Sequence, residues 1–360
     1  MVTSAARSVK ERTENTVKYR WFTFFIPLFW TLNIAASGEP PPVPSTPVTR
    51  ARVVMAEEPE ATAAFRAKPD KVKTMVNRGI TFLTGTTNVA AAWKSLVSTQ
   101  DVIGLKVFSA PGGSSGTRPS VVAAVVEGLL AAGIAPAKII VWDKQLGDLR
   151  AAGYGDIARR YKIRLAGSAD EGYDETAVYE NPVLGNLVYG DRDFEKKSDV
   201  TGRKSYVSKL VTRQITKIIN ITPLLNHNEA GVTGNLYSLA MGSVDNTLRF
   251  EPSERLAGAV PEIYALPSLS DHVVLNIVDA LICQYQGEQR SLLHYSTALN
   301  QIWLSKDPVA LDVLALEELN RQRRSAGIEA PKANLELYQN AALLELGVNE
   351  IKNIRIEMAR

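Results

Sequence analysis

The chain has 360 residues, 45% hydrophobic and 22% charged, a balance that supports a sizeable folded core and excludes a disordered chain. Its 41 basic and 38 acidic residues are interspersed, the formal net charge is +3, and no basic stripe with interleaved aromatics suggests nucleic-acid binding. A single cysteine, Cys283, excludes an internal disulfide and any cysteine-ligated iron–sulfur cluster or cysteine-rich zinc site within the chain.

The N-terminus reads as an export signal. Arg7, Lys10, Arg12, Lys18 and Arg20 precede the uncharged run WFTFFIPLFWTLNIAA, and Ala35-Ala36-Ser37 offers the small residues of a cleavage site. That run is short of the roughly 20 residues needed to span a bilayer. Residues 1–37 are therefore expected to be a cleaved signal, giving a secreted or periplasmic protein. The alternative is an uncleaved segment that tethers the chain to the membrane. Residues 38–66 are rich in Pro, Ala and Glu and read as a linker, which leaves 67–360 as a single α/β domain.

Helices are expected over 71–83 and 89–97. The strongest pattern follows: VIGLKVF (102–108) as a buried strand, a helix over 119–132 closed by Gly133, and KIIVWD (138–143) as a second strand. Strand, helix and strand within about 40 residues define a βαβ unit and a parallel pair. A helix over 147–161 and the strand IRLAGS extend it. Residues 170–215 are more irregular, with short strands expected at 184–189 and 205–211. KIINITPLL (217–225) is again a buried-type strand, whereas HVVLNIVDALI (272–282) is compatible with strand or helix. Amphipathic helices are expected over 307–324 and 333–346. The fold class is thus α/β, a mostly parallel sheet flanked by helices with an irregular mid-chain insertion.

In such sheets, ligands bind outside the carboxyl ends of the strands, which directs attention to three loops. SAPGGSSGTRP follows the first strand, and Arg118 with the helix start at Pro119 could hold an anion there, unless the loop is plain surface. Asp143 ends the second strand, with Lys144 beside it. It is placed either to bind a metal, hydroxyl or amine or to cap the next helix. HNEAGVTGNLYSLAMGSVDN (227–246) follows the strand at 217–225. His227 is placed for acid–base work or metal ligation. Thr233 is placed to cap the next helix, unless that helix start receives an anion, and Asp245 and Asn246 close the segment. Asp279 lies in an apolar run and needs a partner, for which Lys106, mid-strand, is the candidate. Such a pair is either structural or part of a site. Asp307 before Pro308 reads as a helix cap, and Asp312 is offset from it around the helix axis. No GxGxxG, GK[ST], GxSxG or HExxH pattern is present, and the sequence names no cofactor or metal.

The stretches DVIGLKVFSAPGG, RPSVVAAVVEGLLAAGIAPAKIIVWDK, IINITPLLNHNEAGVTGNLYSLAMGSVDNTLRF, NIVDAL and SKDPVALDVLALE resemble, in order, the family known as domain of unknown function 362. The resemblance covers about 101–320 and implies that Lys106, Asp143, His227, Thr233, Asp279, Asp307 and Asp312 occupy recurrent polar positions. Relatives carry a lysine two residues before the histidine and a Lys-Asn pair after the threonine. Here those places hold Leu225 and Tyr237-Ser238, which implies a different ligand or a lost activity. Some relatives carry ferredoxin-like modules, which this chain lacks. Three roles follow as expectations. The first is an enzyme acting on a small anionic or metal-bound ligand, with His227, Lys106 and Asp279 as catalytic groups and Arg118, Asp143, Thr233 and Asn246 binding. The second is a ligand-binding protein without turnover, and the third a redox accessory working with an iron–sulfur partner.

Overall fold

The computed structural model describes residues 50–194, 201–331 and 334–360. Strand β1 (Ala51–Glu57) is followed by a small hairpin, β2 (Thr62–Ala63) and β3 (Arg66–Ala67). Helices α1 (Pro69–Thr84) and α2 (Val89–Lys94) lead to β4 (Ile103–Val107), α3 (Pro119–Ala131) and β5 (Ile139–Asp143). Next come α4 (Leu146–Ala151), α5 (Tyr154–Tyr161), β6 (Arg164–Gly167) and the one-turn α6 (Ser168–Glu171). An antiparallel arm, β7 (Tyr173–Asn186) and β8 (Thr201–Ser208), precedes β9 (Lys217–His227) and β10 (Gly231–Val232). The chain continues through α7 (Asn235–Ser243), α8 (Ser253–Tyr264), β11 (Val273–Gln284) and β12 (Ser296–Ser305). It closes with α9 (Pro308–Ser325), α10 (Leu335–Leu343) and β13 (Ile354–Ala359).

The main sheet runs β13-β1-β12-β11-β9-β4-β5-β6, with β10 paired to the end of β9. Strands β11, β9, β4, β5 and β6 are mutually parallel, and β12 is antiparallel to both its neighbours. The chain leaves β4 toward β5 and β6 and returns on its other side as β9, so the order reverses between β4 and β9. That is where an open α/β sheet offers a crevice.

Successive residues of a strand face opposite sides, and these strands divide accordingly. Ile103, Leu105 and Val107 of β4, Ile219 and Ile221 of β9, and Leu275 and Ile277 of β11 pack with α1, α2, α3 and α5. The opposite face carries Ile218 and Leu224 of β9 and Val278 and Ala280 of β11, packed with α7, α8, α9 and α10. Both layers bury long apolar stretches, which accounts for the near-continuous hydrophobic runs of the parallel strands.

The α/β expectation holds, with several boundaries changed. The linker expected over 38–66 gives way at Ala51: ARVVMAE is a sheet strand pairing with β12 and β13. Its buried Val53 and Val54 were masked by the surrounding Pro and Glu. The helix expected over 147–161 is two, broken where Gly153 takes φ 90°. HVVLNIVDALI resolves as strand β11, and the mid-chain insertion is a single long two-stranded arm. The expected signal over 1–37 lies outside the described residues. Among the described residues no helix is long and apolar enough to cross a membrane.

Candidate functional site

A cleft of about 540 Å³ opens at the carboxyl ends of β4, β5, β9 and β11. Its floor is built on Asp143, the last residue of β5. The Asp143 carboxylate accepts from Lys106 Nζ (2.9 Å), from the Ser109 amide and hydroxyl (2.7 Å each) and from the Lys144 amide (2.8 Å). Lys106 is wholly buried and also donates to the Val107 carbonyl (2.6 Å) and bonds Ser238 Oγ (3.1 Å), with its ammonium 5.6 Å from the Trp142 ring centre. Burial pushes its pKa down while Asp143 opposes the shift. Glycine at 242 makes this possible, because a Cβ there would stand 2.4 Å from Lys106 Cε.

The wall opposite is His227, at the end of β9. Its Nδ1 accepts the amides of Ala230 (3.1 Å) and Glu229 (3.3 Å), which places the ring proton on Nε2 and leaves Nε2 without a hydrogen bond within the described residues. Tyr237 of α7 packs on the imidazole with ring centres 4.2 Å apart. Burial lowers the His227 pKa, opposed by Glu288 and Glu229, and the same burial pushes Tyr237 up to about 12. Across the cleft, Lys144 hydrogen-bonds Thr247, and its pKa is lowered by burial against the pull of Asp191, Asp245 and Asp143. Asp148 is raised by burial and by Asp143.

The lining is acid-rich. Asp143, Asp148, Glu229, Glu251 and Glu288 line the cleft against a single lysine, Lys144. Lys106 balances Asp143 from beneath, so the lining keeps a negative surplus, four carboxylates against the one charge of Lys144. Among the described residues no group of three His, Cys, Asp or Glu side chains is placed to hold a metal ion.

Of the residues singled out from the sequence, His227 and Asp143 line the cleft, and Lys106 supports its floor. The pairing of Lys106 with Asp279 is not found. Asp279 shares a face with Ile277 and Leu281, whereas Lys106 points to the other side of the sheet. Asp279 instead binds Arg118, by Nη1 (3.0 Å) and by the Arg118 amide (2.9 Å). Arg118 is thereby buried and turned away from the cleft. Thr233 is buried beside β9, donating its amide to the Leu225 carbonyl, and it does not cap α7. Asp312 occupies that helix start, accepting from the amides of Asn235 (2.6 Å) and Leu236 (2.9 Å). Both helix starts expected to receive an anion thus hold the protein's own carboxylates. Asn246 lies off the cleft, in the left-handed region at φ 45°, where its side chain donates to the Gly202 and Lys204 carbonyls of β8. Asp307 caps α9 as expected, through the Ala310 amide (2.8 Å).

Glu229, Glu251, Glu288 and Asp148 escaped the sequence reading. Glu288 follows β11, whose type the apolar run left open, Glu251 lies in the short link before α8, and Asp148 sits on the short α4 without a motif.

Residues 103–317 match the family described as Domain of unknown function (DUF362), and the chain belongs to that family. Among solved structures it is similar to a crystal structure of a Thermotoga maritima protein from a structural-genomics consortium, at 12% identity and a TM-score of 0.40. That alignment covers 73% of this chain and 60% of the other. No curated protein matches.

Proposed function

We propose that the protein is an enzyme whose cleft takes a small positively charged ligand, such as an organic amine, with His227 as its acid–base group. The observation that carries this reading is the acid-rich lining around an imidazole held neutral, with Nε2 left unbonded. A negative wall in a partly enclosed cleft concentrates cations and repels anions. The expectation of an anionic ligand loses support, because the helix starts at α3 and α7 are taken by Asp279 and Asp312. The positions where relatives carry lysines, at Leu225 and Tyr237-Ser238, supply no positive charge either. In this tautomer the neutral imidazole of His227 presents Nε2–H as a hydrogen-bond donor that polarises an oxygen of the ligand, and it takes up a proton as general base once its own proton moves to Nδ1 and frees the Nε2 lone pair.

The test is a melting-temperature screen of the full chain at low salt, where surface electrostatics are least screened. Amines and carboxylates of matched size form the two arms, followed by native mass spectrometry with metal analysis on the parent and on His227→Ala. Stabilisation by amines, with turnover lost in His227→Ala, is the expected result. Stabilisation by carboxylates or phosphates alone would overturn the charge assignment. Binding and turnover unchanged in His227→Ala would remove the acid–base role.

We also propose export through residues 1–37. Their charged, apolar and small-residue regions in series support it. A mature protein that begins at Met1 in a soluble cytosolic fraction would contradict it.

A further inference from the structure

Beside Lys106, on the same face of the sheet and in register with it through Asn220, lies a second polar cluster that the cleft does not use. Asn220 of β9 stands in register with Asn276 of β11, and Thr222 follows Asn220 two residues along the same face. Asn220 donates its Nδ2 to the Asn235 carbonyl (2.9 Å), and Asn235 donates its own to Asp312 Oδ1 (2.9 Å). Asn276 directs its Nδ2 to the Lys306 carbonyl (3.4 Å). In each amide the nitrogen is the atom engaged by an oxygen acceptor, which fixes the amide's orientation and leaves the oxygen over.

Those oxygens have no partner. Asn220 Oδ1, Asn235 Oδ1, Asn276 Oδ1 and Thr222 Oγ1 are all unbonded, and all four residues are completely buried. Buried polar atoms are almost always paired, so three amide oxygens and one hydroxyl left over at neighbouring positions of β9, β11 and α7 point to a missing electropositive partner. Charge points the same way. The buried carboxylates Asp143 and Asp279 pair with Lys106 and Arg118, whereas Asp312, at 1% exposure, receives only amide hydrogen bonds. Gly234 accommodates this arrangement, because a Cβ there would lie 2.6 Å from the Asp312 carboxylate.

We propose that Asn220, Thr222, Asn235 and Asn276, with Asp312 balancing the charge, form a buried site for a dehydrated alkali cation, sodium or potassium. An all-oxygen donor set selects a hard cation. One carboxylate neutralises one positive charge, and a divalent ion would leave a net charge buried. The ion would tie the start of α7 and the second turn of α9 to the sheet. Because α7 carries Tyr237, Ser238 and Gly242, alkali ions would also steady the cleft wall.

The experiment has two arms. The melting temperature of the full chain is compared in sodium, potassium and choline chlorides at equal ionic strength. At least one alkali salt should raise it by about 2 °C or more over choline, increasingly with concentration. Thr222→Val, close in size to the parent residue, should reduce that rise. Crystals grown in rubidium chloride should show an anomalous peak among the three amide oxygens. Equal melting in all three salts overturns the proposal. So does a cation-specific rise that Thr222→Val leaves whole, or a cluster filled by water alone.

Discussion

The two faces of the main sheet each bury one ion pair, and the pairs do different work. On one face Lys106 and Asp143 lie under a cleft, and Asp143 reaches its lining. On the other, Arg118 and Asp279 are sealed between β11 and the start of α3, remote from the cleft lining. Lys106 and Asp143 join the neighbouring strands β4 and β5, whereas Asp279 of β11 reaches past β9 to the start of α3, and both carboxylates also accept backbone amides. A buried ion pair with an amide-bonded carboxylate is therefore not by itself a sign of a site. What distinguishes the two is the side of the sheet on which the chain makes its reversal at β4 and β9 and then places α7.

Removing one member of each pair separates the two faces most sharply. Lys106→Met and Asp279→Asn should each cost about 3–5 kcal/mol in urea unfolding, because each strands a buried charge. They should differ in the cleft. Asp279→Asn should keep the amine-induced rise in melting temperature, and Lys106→Met should lose it as Asp143 and Ser238 shift. Equal loss in both would mean that the faces are mechanically coupled and that the distinction drawn here is false.

A smaller effect tests the packing of the floor. Gly242→Ala should cost about 1–3 kcal/mol, since its Cβ meets Lys106 Cε at 2.4 Å. Gly147→Ala on α4, where a Cβ meets nothing within 4 Å, should be neutral or stabilising by up to about 1 kcal/mol. Calorimetry on the two variants side by side reads the difference, and comparable costs would refute the fit of Lys106 beneath Gly242.

The face of each residue was the part of this site hardest to see in the sequence. The runs VIGLKVF and HVVLNIVDALI marked buried strands, and the loops after them marked the edge where ligands bind. Pairing Lys106 with Asp279 failed because a charge's side of the sheet depends on register, which an apolar run on both faces does not reveal. Arg118 and Thr233 misled for a related reason. A helix start with a nearby donor looks like an anion site until tertiary structure brings in a carboxylate from a distant segment, 161 residues away for Asp279. The acid-rich wall was invisible because Asp148, Glu229, Glu251 and Glu288 come from four separate segments. His227 was legible because a histidine directly after a buried strand has few places to go.

The smallest expected effect concerns His227 itself. Its folded pKa lies below the ordinary value of 6.5, chiefly because of burial. The unfolded chain therefore binds more protons as pH falls through that region. The contribution of His227 is whole above about pH 6.5 and is lost progressively as pH falls toward the folded pKa. The stability of the parent relative to His227→Gln should accordingly shrink on acidification, while His272 and His294 are common to both and cancel. Glu288→Gln removes one of the carboxylates that hold the imidazole pKa up, so the His227 titration followed by NMR should move to lower pH. A shift to higher pH would mean that Glu288 acts through packing alone. No shift at all would place its charge too far from the ring to shape the cleft's acid–base chemistry.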